Sequence, residues 1–266
     1  MDTATSQAAI ILGKKCLEDE FPSSVEIWAE AIVDMPPIGT RHISSFLCGG
    51  TLVKSNVVVT AAHCLLESSL TRGMGTVQYI RYGIVTDLDL REAKRLKKPS
   101  LDIVWAKDWT AHEGYPNEKV EKGLKKGDDI GVLILSEHMK LPVTPWLKHD
   151  EKDLLTLEMP AYIVGWGQQN VDTDSQDPAT ISNKMCAVSN IHELGEFELQ
   201  IGAGEDTPRK CHGDSGGATY IKVKDGSYRL VGVTSRSYGA IGCAEGGVDT
   251  RIDAYDQWLQ KQINMI

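Results

Sequence analysis

The sequence lacks any long hydrophobic run, since none of its apolar stretches approaches the roughly 18 residues that a membrane-spanning helix needs. Apolar residues make up 41% and charged residues 24% of the 266-residue chain. These values are typical of a globular protein that forms one sizeable core or two small barrels packed together. We therefore expect no membrane partner.

Positive charge is scarce as well, because the chain has 28 Lys and Arg but 37 Asp and Glu, which gives a net charge of -9. Such a surface repels the phosphates of nucleic acid, so nucleic acid is not an expected partner. Lysines cluster at 94–98 and 119–126 in polar stretches, which favours solvated loops over a binding patch.

The six cysteines include no Cys-x-x-Cys pair. This absence argues against a zinc ribbon or a thioredoxin-type redox site, and the even number favours three disulfides in a protein outside the cytosol. No Asn-x-Ser/Thr sequon is present, so N-glycosylation is not expected. Residues 1–9 lack the basic start and apolar stretch of a signal peptide. We interpret them as an extension or propeptide of a secreted, extracellular protein whose signal peptide has been removed or was never part of this sequence.

Short apolar runs between turn signals are the main structural pattern, and they are typical of strands in an all-β protein. They lie at 25–33, 52–59, 77–85, 130–135, 161–164, 218–223 and 228–233. Residues 253–266 differ, because their apolar residues recur at helical spacing, which predicts a closing helix capped by Asp253. The polar segment 168–183 predicts a surface loop, and 136–150, with two prolines, is the expected link between two halves.

The run Gly213-Asp214-Ser215-Gly216-Gly217 offers a nucleophile. Glycines on both sides permit a strained turn that exposes the Ser215 hydroxyl, while the N–H groups of Gly213 and Ser215 point inward as donors to an oxyanion. Taken alone, the run is equally consistent with an ordinary Gly- and Ser-rich turn.

Two other motifs offer a base and an acid that orients it. His63 ends an apolar strand and is followed at once by Cys64, and Asp129 stands at the start of the strand 130–135. Taken singly, each has a commoner structural explanation: a core histidine for His63 and a solvated strand cap for Asp129. Together with Ser215 they supply the parts that hydrolysis of a peptide bond requires.

The chain order His63, Asp129, Ser215 resembles that of the chymotrypsin/trypsin family of serine proteases, and the resemblance covers residues 10–266. It implies a serine endopeptidase that works through an acyl-enzyme. His63 would take the proton of Ser215, Asp129 would hold the imidazole in the right tautomer, and Gly213 and Ser215 would form the oxyanion hole. No metal or organic cofactor is implied.

The resemblance also implies the fold, which is two packed six-stranded antiparallel β-barrels with a C-terminal α-helix. Residues 10–140 would form the first barrel, with His63 and Asp129. Residues 141–252 would form the second barrel, with Ser215, and 253–266 the helix.

The start of the matching region, Ile10-Ile11-Leu12-Gly13, resembles the family's mature N-terminus. In the family a freed amine pairs with the acid before the nucleophile, which implies an ion pair between Ile10 and Asp214. Leu12 replaces a glycine that is usual at its position. Cleavage before Ile10 would be needed, so the chain would be a zymogen, although Ala9 is not a site for a trypsin-like activator.

Other matching positions concern the second barrel and the cysteines. Gly165-Trp166-Gly167 resembles a loop marker of that barrel, and Ser235 matches a serine that supports the buried aspartate. The resemblance implies three disulfides, which pair Cys16 with Cys186, Cys48 with Cys64, and Cys211 with Cys243.

The substrate pocket is where the sequence departs from the family. Arg209, followed by Lys210, occupies the floor position six residues before the nucleophile, where trypsin-like members carry an aspartate. Cleavage after Lys or Arg is therefore not expected. An open Arg209 would select an acidic substrate side chain, because an unpaired buried charge is costly. Alternatively, Asp249, in Gly247-Val248-Asp249, would neutralise Arg209 and leave a pocket that takes small or apolar side chains or is blocked.

The wall of the pocket is also unusual, because Arg236 and Ser237 replace the family's Trp-Gly after Ser235. These departures keep a second function open, that of a catalytically weak or inactive homologue that acts as an extracellular binding protein. The expected partners of a monomeric enzyme are protein or peptide substrates and protein inhibitors of proteases.

Overall fold

The computed structural model describes residues 10–17, 19–71, 75–85, 102–115, 123–167, 183–204, 206–239 and 243–265. These residues form thirteen β-strands, two α-helices and three 3-10 helices. The predicted all-β class is thereby confirmed. The lysine-rich stretch 94–98 and residues 168–182 of the predicted surface loop lie outside the described residues.

The first barrel consists of six strands, each antiparallel to its neighbours. Around the barrel they follow the order β2 (Ser24–Met35), β3 (Gly39–Lys54), β4 (Val57–Thr60), β7 (Gly131–Leu135), β6 (Ile103–Ala111) and β5 (Thr76–Val85).

Strands β4 and β7 position the two residues that this barrel contributes to the site. Both are apolar and buried along their whole length, and they pair so that Thr60, the last residue of β4, faces Gly131, the first residue of β7. In an antiparallel pair the end of one strand meets the start of the other. His63, just after β4, and Asp129, just before β7, therefore come together at one end of the barrel.

The second barrel also has six antiparallel strands and closes through pairing of β8 with both β11 and β9. Its order is β8 (Pro160–Gly165), β9 (Met185–Leu194), β10 (Glu198–Ile201), β13 (Gly247–Arg251), β12 (Tyr228–Ser237) and β11 (Ala218–Lys222). A short strand β1 (Lys14–Lys15) pairs with β9 from outside. The prediction of two packed six-stranded antiparallel barrels is confirmed.

Most predicted apolar runs fall in strands, but the run 52–59 is divided by a turn at residues 55–56 between β3 and β4. Strands β6, β9, β10 and β13 and the first part of β3 were not predicted from the sequence. In β3 the residues 39–47 are mostly exposed or half-buried and many are polar, so they carry no apolar signal.

Helical segments lie at the edges of the barrels. A 3-10 helix (Ala62–Leu65) and α1 (Glu67–Thr71) follow β4, a 3-10 helix (His149–Leu154) lies between the barrels, and a 3-10 turn (Asp253–Tyr255) leads into α2 (Asp256–Asn264). The predicted capping by Asp253 is wrong, because its carboxylate accepts hydrogen bonds from Arg251 at 2.6 and 3.1 Å. None of the helices among the described residues is long and apolar enough to cross a membrane.

The two barrels share a hydrophobic core, since Val58 and Leu133 of the first belong to the same buried cluster as Tyr220 and Val233 of the second. The buried Tyr220 hydroxyl lies 2.7 Å from Ser24 Oγ, so a polar contact also crosses the interface. Three disulfides join the cysteine pairs that the family resemblance implied, which are Cys16–Cys186, Cys48–Cys64 and Cys211–Cys243.

Candidate active site

A histidine and an aspartate form the centre of the site. The His63 ring donates from Nδ1 to Asp129 Oδ2 at 2.8 Å, and the His63 backbone N–H donates to Oδ1 of the same carboxylate at 2.9 Å. The Asp129 side chain is 3% exposed and that of His63 is 22% exposed. In the neutral imidazole, a carboxylate that accepts from Nδ1 leaves Nε2 without a proton and able to act as a base. Nε2 lies 3.6 Å from Cys64 Sγ.

The aspartate is itself held by the second barrel. Ser235 Oγ in β12 donates to Asp129 Oδ2 at 2.6 Å, and Thr250 Oγ1 in β13 donates to the Asp129 carbonyl at 2.9 Å. Buried carboxylates are costly unless they are hydrogen-bonded, and these contacts supply the compensation. Asp129 therefore lies buried between the two barrels, held by donors from both of them.

Ser215 lies in a tight turn before β11 that is packed against the first barrel. Gly49 N–H donates to the Ser215 carbonyl at 2.8 Å, so the turn is hydrogen-bonded to β3 next to the Cys48–Cys64 disulfide. Gly216 has φ of 72°, and a Cβ there would clash with Thr60 Oγ1 and the Gly49 carbonyl. Only glycine fits this position, because both the backbone conformation and the space exclude a side chain.

The turn presents backbone donors beside the hydroxyl. Gly213 has φ of 90°, and neither its N–H nor that of Ser215 donates to an acceptor among the described residues. Within the same residues no hydrogen bond joins Ser215 Oγ to His63 Nε2. Hydrogen bonds of catalytic groups are often long before substrate binds, so this geometry is compatible with a nucleophile and a base.

The predicted partner of the chain start, Asp214, is fully buried under the same turn. Its carboxylate accepts from Gly167 N–H and Cys211 N–H, both at 2.9 Å. Burial raises the pKa of Asp214 to about 6, although the two backbone donors and the charge of Lys210 act in the opposite direction. Ile10 is fully buried, but no hydrogen bond from Ile10 N to Asp214 is present among the described residues.

A cleft of about 230 Å³ opens beside Ser215. The lining residues are Lys210, Cys211, His212, Ser215, Thr234, Ser235, Arg236, Ser237 and Gly247. The structure therefore brings most of the predicted pocket residues together. Of the described residues, Arg209 and Asp249 were expected in the pocket but do not line it.

Arg209 is directed away from the cleft. Its backbone pairs with Ile11 in an isolated β-bridge, and its Nη1 donates to the carbonyls of Gly204 and Thr207 at 3.0 and 3.2 Å. The residue is 4% exposed. The expectation that Arg209 forms the pocket floor is wrong in this structure, because its guanidinium contacts the turn at Gly204 and Thr207 instead.

The predicted neutralisation by Asp249 occurs, but with a different cation. Lys210 Nζ donates to Asp249 Oδ2 at 2.8 Å, and Thr219 Oγ1 donates to the same oxygen at 2.5 Å. The side chains of Lys210 and Asp249 are 1% and 0% exposed. Burial lowers the pKa of Lys210, whereas the carboxylates of Asp249 and Asp214 act in the opposite direction.

Arg236 forms part of the cleft wall and is also paired. Its Nη1 and Nη2 donate to the two carboxylate oxygens of Glu198 in β10 at 2.6 and 2.8 Å. Nothing in the sequence pointed to Glu198, since both faces of the four-residue strand β10 are buried and a single carboxylate there forms no motif. Thr234 and His212 were also missed, and their closeness in sequence to Ser235 and Ser215 is the only signal they carry.

Two groups of side chains resemble metal sites in their spacing. They are Cys48, His63 and Cys64 in one place, and Cys211, His212 and Cys243 in another. All four cysteines are in disulfides, so they offer no thiolate to a metal. We assign no cofactor to these residues.

Comparison with known proteins agrees with the geometry. Residues 30–259 match the family described as Trypsin. The chain is similar to phenoloxidase-activating enzyme 1 of Spodoptera litura, with 30% identity over 92% of this chain and 64% of that protein, so it spans less than two thirds of that relative. It is also similar to chymotrypsin-C of Rattus norvegicus, with 26% identity over 93% of this chain and 88% of that protein.

A third similar protein is the human chymotrypsin-like elastase family member 1. Its identity to the chain is 26%, over 98% of this chain and 95% of that protein.

Proposed function

Because this chain belongs to the trypsin family of serine proteases, we propose that it is a secreted serine endopeptidase with His63, Asp129 and Ser215 as its catalytic triad. The observation that carries the proposal is the buried Asp129 carboxylate, which accepts from the ring and the backbone of His63 and from Ser235. A buried carboxylate in this position fixes one tautomer of the imidazole and stabilises the imidazolium that forms during the reaction.

In the proposed mechanism, His63 Nε2 takes the proton of Ser215 Oγ as the oxygen attacks the carbonyl carbon of a peptide bond. The tetrahedral oxyanion accepts hydrogen bonds from the free N–H groups of Gly213 and Ser215. His63 then donates its proton to the leaving amine, which leaves an acyl-enzyme on Ser215. Water hydrolyses this ester by the same steps in reverse order, with His63 again as base.

Activation is the second part of the proposal. Cleavage before Ile10 would free an amine. The proposal is supported by the full burial of Ile10 and by the buried cluster that the next residue, Ile11, forms with Cys211 and Cys243. The Asp214 carboxylate is buried and its pKa is raised to about 6, so a cation beside it is favourable. We propose that the Ile10 ammonium pairs with Asp214 and that the chain carrying residues 1–9 is a zymogen.

For specificity we propose a preference for small or uncharged side chains before the scissile bond. The direction of the Arg209 side chain disfavours the acidic alternative, and the Lys210–Asp249 pair leaves no unpaired charge at the cleft base. Substrates are proteins or peptides, as the family implies. The three disulfides support an extracellular location.

The alternative function is an extracellular binding protein without catalysis. The absence of a Ser215–His63 hydrogen bond among the described residues is the observation that favours it, whereas the complete set of partners around Asp129 favours the enzyme. In the enzyme the hydroxyl must be nucleophilic, and in a binding protein it need not be.

A fluorophosphonate probe separates the two functions, because it forms a covalent bond only with an activated serine. We expect the chain that begins at Ile10 to be labelled at Ser215 and the Ser215→Ala variant to remain unlabelled. Ser237→Ala, which changes another serine of the same cleft, serves as the matched control and should still be labelled. A chain beginning at Ile10 that folds but is not labelled would overturn the enzyme proposal.

A further inference from the structure

Lys210 is an unusual group at the base of the cleft, because a lysine is almost never fully buried. Its ammonium donates to Asp249 Oδ2 at 2.8 Å and lies 3.5 Å from the Gly217 carbonyl. The Asp249 carboxylate is in turn fixed by Thr219 Oγ1 at 2.5 Å. Nζ is therefore bound to Asp249 in β13, and the Asp249 carboxylate is in turn bound to Thr219 in β11.

The position of Lys210 in the chain connects this pair to the oxyanion donors. It directly precedes the turn 211–217, which contains the N–H groups of Gly213 and Ser215. At the near end of the turn, Cys211 N–H donates to the Asp214 carboxylate at 2.9 Å. At the far end, the Gly217 carbonyl faces Lys210 Nζ, and Gly217 N–H donates to the Asp214 carbonyl at 2.8 Å.

The charges around Lys210 also connect it to the turn 211–217. Burial lowers the pKa of Lys210, and the buried carboxylates of Asp249 and Asp214 act on the ammonium in the opposite direction. Without the ammonium, Asp249 would keep only the neutral donor Thr219, and Asp214 would keep its two backbone donors and, after cleavage, the proposed Ile10 ammonium. Buried charges that lose their partner are strongly unfavourable, and the structure around them moves or they are neutralised by protonation.

We propose that Lys210, held by Asp249, is a positioning residue that fixes the turn 211–217 and thereby aims the N–H groups of Gly213 and Ser215 at the oxyanion. This inference deepens the proposed protease function and rests on it. Lys210 does not touch the reacting atoms, so its effect is transmitted through the backbone of the turn.

The main test replaces Lys210 by methionine, which removes the ammonium and keeps an unbranched side chain. Displacing catalytic groups by about 1 Å can cost about 10²-fold in rate, so we expect kcat of Lys210→Met to fall at least ~10-fold. KM for a peptide substrate should change less than about 2-fold, since uniform binding is not altered. The affinity of a peptide aldehyde, whose adduct mimics the oxyanion, should fall in parallel with kcat.

Lys184 provides the matched control. It is also a buried lysine, its Nζ donates to the Phe21 carbonyl, and burial lowers its pKa to about 8, but it lies outside the cleft. Lys184→Met should lose stability without changing kcat per active site, counted with the fluorophosphonate. Lys210→Arg, which keeps the positive charge, should recover part of the lost kcat.

A double variant distinguishes the loss of the ammonium from a general loss of folding. Lys210→Met combined with Asp249→Leu replaces the buried pair by apolar groups, a change that is often neutral for stability. We expect this variant to fold and to keep a low kcat, because the ammonium beneath the turn is gone, although the Gly217 carbonyl still accepts from Thr234 N–H and Oγ1 at 3.0 Å. A double variant with the kcat of the unchanged protein would overturn the proposal, as would Lys210→Met with unchanged kcat.

Amide hydrogen exchange keeps this inference separate from the protease proposal. Residues 211–217 should exchange faster in Lys210→Met than in Lys184→Met, whether or not Ser215 is reactive. If the unchanged protein is not labelled by the fluorophosphonate, the protease proposal fails, and the exchange of this turn still decides the role of Lys210. Equal exchange in the two variants would contradict that role.

Discussion

Glu198 holds the guanidinium of Arg236 with both of its carboxylate oxygens, at 2.6 and 2.8 Å, directly beside the cleft. Glu198 is fully buried, whereas the Arg236 side chain is 22% exposed. The same carboxylate accepts from Lys125 N–H at 2.7 Å, and Arg236 Nη2 also donates to the Gly123 carbonyl at 2.9 Å. The pair therefore fastens the segment that precedes Asp129 to the second barrel.

Glu198→Gln should lower the free energy of unfolding by about 2–4 kcal/mol, because it breaks a two-pronged buried ion pair and leaves Arg236 without its carboxylate. Urea unfolding measures this change. Glu30→Gln is the matched control, since Glu30 pairs with Arg81 on the outside of the first barrel. That exposed pair should contribute less than about 1 kcal/mol. Equal effects of the two substitutions would contradict the structural importance of Glu198.

Asp129→Asn should lower kcat by about 10⁴-fold, as expected when an amide replaces the acid of a Ser-His-Asp triad and the imidazole takes the wrong tautomer. Steady-state hydrolysis of a peptide substrate by the chain beginning at Ile10 gives the measurement. Ser235→Ala removes only the donor at 2.6 Å from Asp129 and should cost much less. If Asp129→Asn lost no more activity than Ser235→Ala, the assignment of Asp129 would be wrong.

Asp214 should make stability depend on pH while residues 1–9 are attached. Burial raises the pKa of Asp214 from 3.8 to about 6, so the folded chain binds this proton more tightly than the unfolded chain. The contribution of the group is complete below its ordinary pKa and is lost as the pH rises through about 6. Urea unfolding from pH 4 to pH 8 measures this effect. The free energy of unfolding of Asp214→Asn should exceed that of the unchanged chain by an amount that grows up to about pH 6 and is constant above it. A pH-independent difference would contradict this expectation.

Removing residues 1–9 should raise the rate of fluorophosphonate labelling at Ser215, because the freed Ile10 ammonium would neutralise Asp214 and fix the turn 211–217. The same cleavage should shift the pH dependence of stability toward lower pH, since a nearby cation lowers the pKa of a carboxylate. In the Asp214→Asn variant, the same cleavage should raise the labelling rate only slightly. Equal turnover before and after removal would show that the extension does not inhibit.

Cleavage of a mixed peptide library should show small or uncharged side chains before the cut. The cleft holds about 230 Å³, and the charges at its base, Lys210 and Asp249, are paired with each other. A charged substrate group would therefore be buried without a partner. Asp249→Asn frees the Lys210 ammonium and should shift cleavage toward acidic residues. A preference of the unchanged protein for Lys or Arg would contradict the proposal that the bottom of the cleft carries no net charge.

The all-β class was predicted from local signals, whereas the two barrels and the grouping of His63, Asp129 and Ser215 were implied by the family resemblance. The runs around Val58 and Leu133 are apolar throughout, which is typical of strands buried on both faces, and the residues at their ends meet because the strands are antiparallel. The hydrogen bonds from His63 to Asp129 follow from that pairing, whereas those from Ser235 and Thr250 come from the second barrel.

The pocket was predicted less well, because the direction of a side chain in a turn has no local signal. Arg209 and Lys210 are adjacent cations, and only the three-dimensional structure shows that one contacts Gly204 while the other contacts Asp249. The same holds for Glu198, whose partner Arg236 is 38 residues away in sequence. Long-range ion pairs are decided by packing, and packing is not encoded in a short motif.

The hydrogen bond from Gly49 to Ser215 crosses from one barrel to the other, as do those from Ser235 and Thr250 to Asp129. The proposed triad is thus divided between two units that must dock before it exists. A chain during synthesis, or with only one barrel folded, has no complete triad with which to cut its neighbours. In the proposed enzyme, activity would therefore depend on the folding and docking of both barrels.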